Sequence, residues 1–87
     1  SDVYKRQALD RNDRAAAEAA LVAGLAAVGP EPSSSRAALL ANLAQLRIDS
    51  GRLAEALEPA RETLAIAERG NASGIDPAYA RLLVGQA

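Results

Sequence analysis

Eighty-seven residues with 10 basic and 11 acidic side chains allow one small, nearly neutral domain, and the chain contains no Cys, His, Met, Trp or Phe. This composition excludes disulfide staples, zinc clusters built on thiolates or imidazoles, and Ser-His or Cys-His nucleophile pairs. It also lacks the clustered Lys/Arg that meets nucleic acid or an anionic membrane, and no apolar run approaches the roughly 20 residues of a membrane span.

Alanine supplies 22 of the residues. It is the strongest helix former and buries little surface, so the helices should form readily and approach closely around a thin aliphatic core. The first seven residues, Ser1-Asp2-Val3-Tyr4-Lys5-Arg6-Gln7, read as something else. The codons TCA GAT GTG TAT AAG AGA CAG, the end of a widely used transposase adapter, translate to this heptapeptide without a mismatch. The only Lys and one of the two Tyr lie inside it. Residues 1–7 are therefore read as adapter-derived and set aside from the fold. The remainder carries 8 basic and 10 acidic residues, a net charge of −2. On this reading the natural N-terminus lies upstream. No charged-then-apolar signal peptide opens the chain, so the expected location is cytoplasmic.

Asp10-Arg11-Asn12-Asp13 offers side-chain oxygens for the free N–H groups of a first helical turn. A helix then follows over Arg14–Val28, with Leu21, Leu25 and Val28 at i, i+4, i+7 and Ala on the flanks. Gly29 suits a left-handed C-terminal position and Pro30 cannot continue the helix. After the loop through Pro32, one of Ser33, Ser34 and Ser35 should cap the next helix. That second helix is predicted over about Arg36–Asp49. Its apolar stripe is Leu39, Leu43 and Leu46, broadened by Leu40 and Ala44. Asn42, Gln45 and Asp49 form a polar stripe on another face. Gly51 ends the helix, and so short a turn requires an antiparallel neighbour.

The third helix, about Arg52–Arg69, has the clearest period: Leu53, Leu57, Ala60, Leu64 and Ala67, with Ala56 and Thr63 beside them. Arg52, Glu55, Glu58, Arg61, Glu62, Glu68 and Arg69 are assigned to its outer face. Pro59 cannot donate to the Glu55 carbonyl. Because the period runs unshifted across it, a bend is expected rather than a break. Gly70-Asn71-Ala72-Ser73-Gly74 forms a loop, and its Asn71-Ala72-Ser73 match to a glycosylation sequon is read as chance. Asp76-Pro77 starts a fourth helix, with Tyr79, Leu82, Leu83 and Gln86 along one side. It reaches the last residue without a stop signal, so the C-terminus reads as cut.

Two internal matches have solenoid-like spacing: Glu18-Ala19 with Glu55-Ala56, 37 apart, and Leu43-Ala44 with Val84-Gly85, 41 apart, the second leaving a one-residue slip open. At this point the chain resembles the tetratricopeptide repeat family. The family's early bulky apolar position falls on Leu40, its Leu-Gly pair on Leu43-Ala44 and its turn glycine on Gly51. The large residue after the turn falls on Leu53, and the helix-crossing alanine on Ala56. Arg47, Ala60, Thr63 and Glu68 stand where the family places an aromatic, a second aromatic, an alanine and a proline. The spacing, with Gly29-Pro30-Glu31-Pro32, Asn42-Leu43-Ala44 and Leu64-Ala65-Ile66, is similar to the extended, kinesin-light-chain type.

The resemblance implies an all-α fold of antiparallel helical hairpins stacked as a right-handed solenoid. Residues 8–28 would be the second helix of a preceding repeat, 36–69 one complete hairpin, and 76–87 the first helix of a following repeat. Leu40, Leu43, Ala44, Gly51, Leu53, Ala56, Leu57, Ala60 and Leu64 would carry the packing. It further implies a groove lined by first helices, to which Asn42 and Gln45 belong, with Asp49 on the same stripe and Ala38 and Ala41 nearby. Amide side chains suit peptide recognition because each both donates and accepts.

The function implied is a protein–protein interaction scaffold within a larger protein, of the kind common in bacterial signalling and regulation. No cofactor and no catalysis are expected of this segment. The competing reading is a helical accessory segment of an enzyme such as a Ser/Thr protein kinase, with catalysis elsewhere on the parent chain. A DNA-binding helix-turn-helix is disfavoured because no helix carries a basic face. Glu58 and Glu62, four apart, are read as solvated surface charges. The glycines never approach a phosphate-loop pattern.

Overall fold

The computed structural model describes residues 2–70 and 74–87, and Asn71-Ala72-Ser73 lies outside them. The described residues form four helices: α1 (Asp2–Val28), α2 (Ser34–Asp49), α3 (Leu53–Ala67) and α4 (Pro77–Gln86). There is no strand among the described residues. No helix among them is long and apolar enough to cross a membrane.

The predicted punctuation is used almost as written. Ser33 caps α2, its Oγ accepting the Arg36 N–H at 3.0 Å. Asp76 caps α4, accepting the Ala78 N–H at 2.9 Å, with Pro77 opening the helix. Gly51 has φ +76°, and around it the Arg52 N–H returns to the Arg47 carbonyl at 2.8 Å. This six-to-one closure ends α2 and reverses the chain within three residues.

The start of α1 departs from expectation. Asp10, Asn12 and Asp13 do not cap a helix there, because the helix is continuous from Asp2, through the stretch read as adapter. Nothing from residue 2 to residue 9 is Gly or Pro, so no breaker enforces the later start. The described side chains of residues 9–17 are exposed, and α1 makes its contacts farther along.

Successive helices pack together, most extensively α2 with α3, and α2 also touches α4. The ordering is antiparallel for the first two pairs. Arg36 at the start of α2 meets Glu62 late in α3, while Arg47 meets the Glu55 carbonyl beside the turn. Gly24 of α1 faces Leu39, Leu25 packs on a cluster of Ala37, Leu40 and Ile66, and Glu18 reaches Arg47. A Cβ at Gly24 would lie 3.3 Å from both Leu39 methyls, so the missing side chain sets the α1–α2 spacing.

The core is made mainly of small residues. Ala37, Ala44, Ala56, Ala60 and Ala80 have no exposed surface, and Leu83 is the largest apolar side chain that is fully buried. Ala41, Ala44, Ala60 and Leu83 form one cluster, which joins α2, α3 and α4. Of the positions assigned to packing, Leu40, Leu43, Ala44, Ala56 and Ala60 are buried.

The leucine row of α3 is not the seam. Leu53 is 46% exposed, and Leu57 and Leu64 are only half-buried. The buried row is instead Ala56, Pro59, Ala60, Thr63, Ile66 and Ala67. Because α3 packs against both α2 and α4, its buried face points between them, and the smaller residues allow the closest approach. A similar rotation corrects α4. Ala80 and Leu83 are buried, whereas Tyr79 and Leu82 are exposed at 39% and 55%.

Pro59 does not break α3. A proline within a helix leaves the carbonyl four residues earlier without its amide partner. That carbonyl belongs to Glu55, and it accepts Arg47 Nη1 from α2 at 3.0 Å. The Thr63 hydroxyl, fully buried, donates to the Pro59 carbonyl at 2.7 Å. The polar groups created around this proline are thus satisfied without water.

Candidate functional site

Helix α2 is bordered by α1, α3 and α4, which leaves it a single open strip. Ala38, Asn42 and Asp49 are exposed on this strip, and Gln45 is half-buried between the last two. The spacing 38, 42, 45, 49 keeps all four on one helical face. Gln45 Nε2 donates to Asp49 Oδ1 at 2.9 Å, which orients the amide and leaves its carbonyl oxygen directed away from that bond. Ala41 does not belong to the strip: it is 3% exposed and packs with Ala44, Ala60 and Leu83. The structure therefore brings Ala38, Asn42, Gln45 and Asp49 together and withdraws Ala41 into the core. What the strip can do chemically is exchange hydrogen bonds, with one amide and one carboxylate already paired to each other.

A second polar constellation was not legible in the sequence. Glu18 of α1 accepts from Arg52, through a short contact and a second bond of 3.1 Å, and from Arg47 at 3.4 Å. Arg52 also holds Glu55 at 2.7 and 2.8 Å. The Arg52 hydrogen bonds, aided by the neighbouring guanidinium charges, hold the Glu18 and Glu55 carboxyls below the usual carboxylate range. The same bonds, that to Glu55 foremost, raise the Arg52 guanidinium. The buried Nε of Arg47 has no hydrogen-bond partner. This network ties α1 to the α2–α3 turn, and each charge within it is already answered.

Glu58 and Glu62 do not form a carboxylate pair. Glu62 bonds with Arg36, which raises the Arg36 guanidinium, and Arg36 Nη1 also donates to the Gly29 carbonyl at 3.0 Å. Glu58 is exposed. Glu62 is thus part of the contact between α2 and α3 rather than of a solvated outer face. Among the described residues, no group of three or more His, Cys, Asp or Glu could hold a metal ion.

An open concavity lies on α1. It is a groove of ≈ 840 Å³ floored by Ala15, Ala19, Val22, Ala23 and Ala26 and also lined by Arg14, Glu18 and Arg52. Val22 is 47% exposed on this floor. The stripe Leu21–Leu25–Val28 gave no warning of it, because the groove occupies the other side of the helix.

Comparison with protein-family models finds no match, and comparisons with curated proteins and with solved structures find none either.

Proposed function

We propose that this chain is a segment of a tetratricopeptide-like solenoid that acts as a protein–protein interaction scaffold within a larger, cytoplasmic, bacterial signalling or regulatory protein. The observation that carries this reading is the strip Ala38–Asn42–Gln45–Asp49, the face of α2 left open by its three neighbours. Consecutive helices joined by a glycine-closed turn and packed through alanine support a repeat architecture, in which first helices present their free faces side by side. On this reading the segment binds and does not catalyse. An extended peptide would lie across the strip, exchanging backbone hydrogen bonds with Asn42 and with the free oxygen of Gln45.

The test begins with a peptide library selected on the whole 87-residue chain, followed by titration calorimetry of the selected peptides against the parent and two variants. Asn42→Ala and Gln45→Ala should each weaken binding about five- to tenfold, the value of a neutral hydrogen bond of roughly 1 kcal/mol. The circular dichroism of the free protein should not change. Peptides that bind both variants as tightly as the parent would place recognition elsewhere.

A further inference from the structure

Every buried side chain among the described residues belongs to α2, α3 or α4, and α1 contributes none. Among those residues the α1 backbone lies against α2 alone. What holds α1 therefore differs from what holds the other three helices. Midway along it, the Glu18 carboxylate accepts from Arg47 of α2 at 3.4 Å. It also accepts from Arg52, at the α2–α3 turn, at 3.1 Å and through a second, shorter contact. At the far end, Arg36 Nη1 donates to the Gly29 carbonyl at 3.0 Å, which sets a guanidinium at the negative end of the α1 dipole. The apolar contact between these two clasps is thin, with Leu21, Gly24 and Leu25 only half-buried. Gly24 faces Leu39, and Leu25 lies on the cluster of Ala37, Leu40 and Ile66.

Each arginine in these clasps has a second partner that does not belong to α1. Arg47 donates to the Glu55 carbonyl, Arg52 holds the Glu55 carboxylate, and Arg36 pairs with Glu62. Withdrawing α1 thus leaves all three guanidinium groups paired within α2 and α3, and Glu18 passes into water. The usual obstacle to opening an ionic contact, a stranded charge, is absent. We propose that α1 is a detachable helix, which opens from the α2–α3–α4 unit at the Glu18 and Gly29 clasps while the other three helices stay folded. The cluster of Ala41, Ala44, Ala60 and Leu83 contains no α1 residue, so it is untouched by the opening. The hinge is the link of residues 29–33, in which Gly29 has φ +81°. Opening uncovers Leu39 and the α1 side of the Ala37–Leu40–Ile66 cluster. It depends on ionic strength, because both clasps are charged and partly solvated. The α2 strip plays no part in it, so it holds whether or not that strip binds a peptide.

Native-state hydrogen exchange of the whole 87-residue chain, followed by NMR, resolves such an opening. An isolated helix relaxes within about a microsecond, so each detachment lets the α1 amides exchange. Residues 19–28 should be protected at least tenfold less than residues 41–46 and 60–63. Raising salt from about 20 mM to about 0.5 M should lower the α1 protection two- to fivefold and leave the other two segments unchanged. Glu18→Gln should produce a loss of the same size at low salt and remove most of the salt response. Leu25→Ala should lower α1 protection about tenfold or more, again without moving residues 41–46 and 60–63. A single protection level shared by all the helices would overturn the proposal, as would a Glu18→Gln loss spread equally over them. An α1 protection that neither variant changes would mean exchange by fraying without docking, and would overturn it equally.

Discussion

Leu82 and Leu83 are adjacent, identical and opposite in environment, so replacing each with alanine isolates what the α4 packing contributes. Leu83 has no exposed surface and closes the cluster of Ala41, Ala44 and Ala60. Removing three carbons at about 0.8 kcal/mol each costs roughly 2.4 kcal/mol in transfer free energy. The surrounding alanines have no rotamers with which to refill the space, so a cavity contribution adds to this. The expected total is about 3 kcal/mol, within the range of 2–5 for such substitutions. A chain of this length has roughly 4–13 kcal/mol of stability to lose, so the melting temperature should fall by about 12–24 °C. Leu82→Ala, at an exposed position, should stay within about 0.5 kcal/mol of the parent. Urea unfolding followed by circular dichroism at micromolar concentration reads both values. Equal midpoints for the two variants, or a Leu83→Ala loss below about 0.5 kcal/mol, would refute the assignment of the buried face of α4.

Two further predictions concern the α2 seam and its link to α1. Leu43 is 4% exposed, so Leu43→Asp places an unpaired carboxylate among apolar neighbours and should abolish cooperative unfolding, a loss of about 4 kcal/mol or more. A cooperative melt near the parental temperature would count against it. Glu18 and Glu55 are held below the usual carboxylate range, so the unfolded chain binds more protons than the folded one as pH falls past about 4.3. Their contribution is therefore present above that pH and is lost as pH falls through the depressed folded values. Glu18→Gln should flatten this slope in a pH series of urea midpoints, while costing no more than about 1 kcal/mol at neutral pH. An unchanged acid slope would remove Glu18 from the account.

Helix identity and helix ends were legible because they are local properties. Ser33, Gly51 and Asp76-Pro77 act through atoms within a turn of themselves, and each behaves as its residue type dictates. The choice of buried face was less legible, because it depends on how many neighbours a helix has. A helix beside one partner buries its bulkiest row. Helix α3 lies against two, and its buried row is the alanine side between them, leaving Leu53 in solvent. The same cause withdraws Ala41 from the candidate binding strip, since α4 covers it while Asn42 stays open. The Glu18–Arg47–Arg52 network joins residues 29 and 34 positions apart and leaves no periodic trace in the sequence. The cap signal at Asp10–Asp13 goes unused, because a cap residue matters only where the preceding chain stops being helical, and α1 is continuous from Asp2.

Pro59 and Arg47 show how one substitution conditions another. The proline leaves the Glu55 carbonyl without its helical donor, and Arg47 supplies one from the neighbouring helix. The two positions should therefore be epistatic. Pro59→Ala returns a backbone amide to the Glu55 carbonyl and relieves Arg47 of that duty. Replacing Arg47 should then be less damaging in the alanine background than in the proline one, by a coupling of about 0.5–3 kcal/mol in a double-mutant cycle. Over evolutionary time, a proline at 59 should persist only in lineages that already carry a donor at 47, which makes the order of the two changes a constraint as well as their presence.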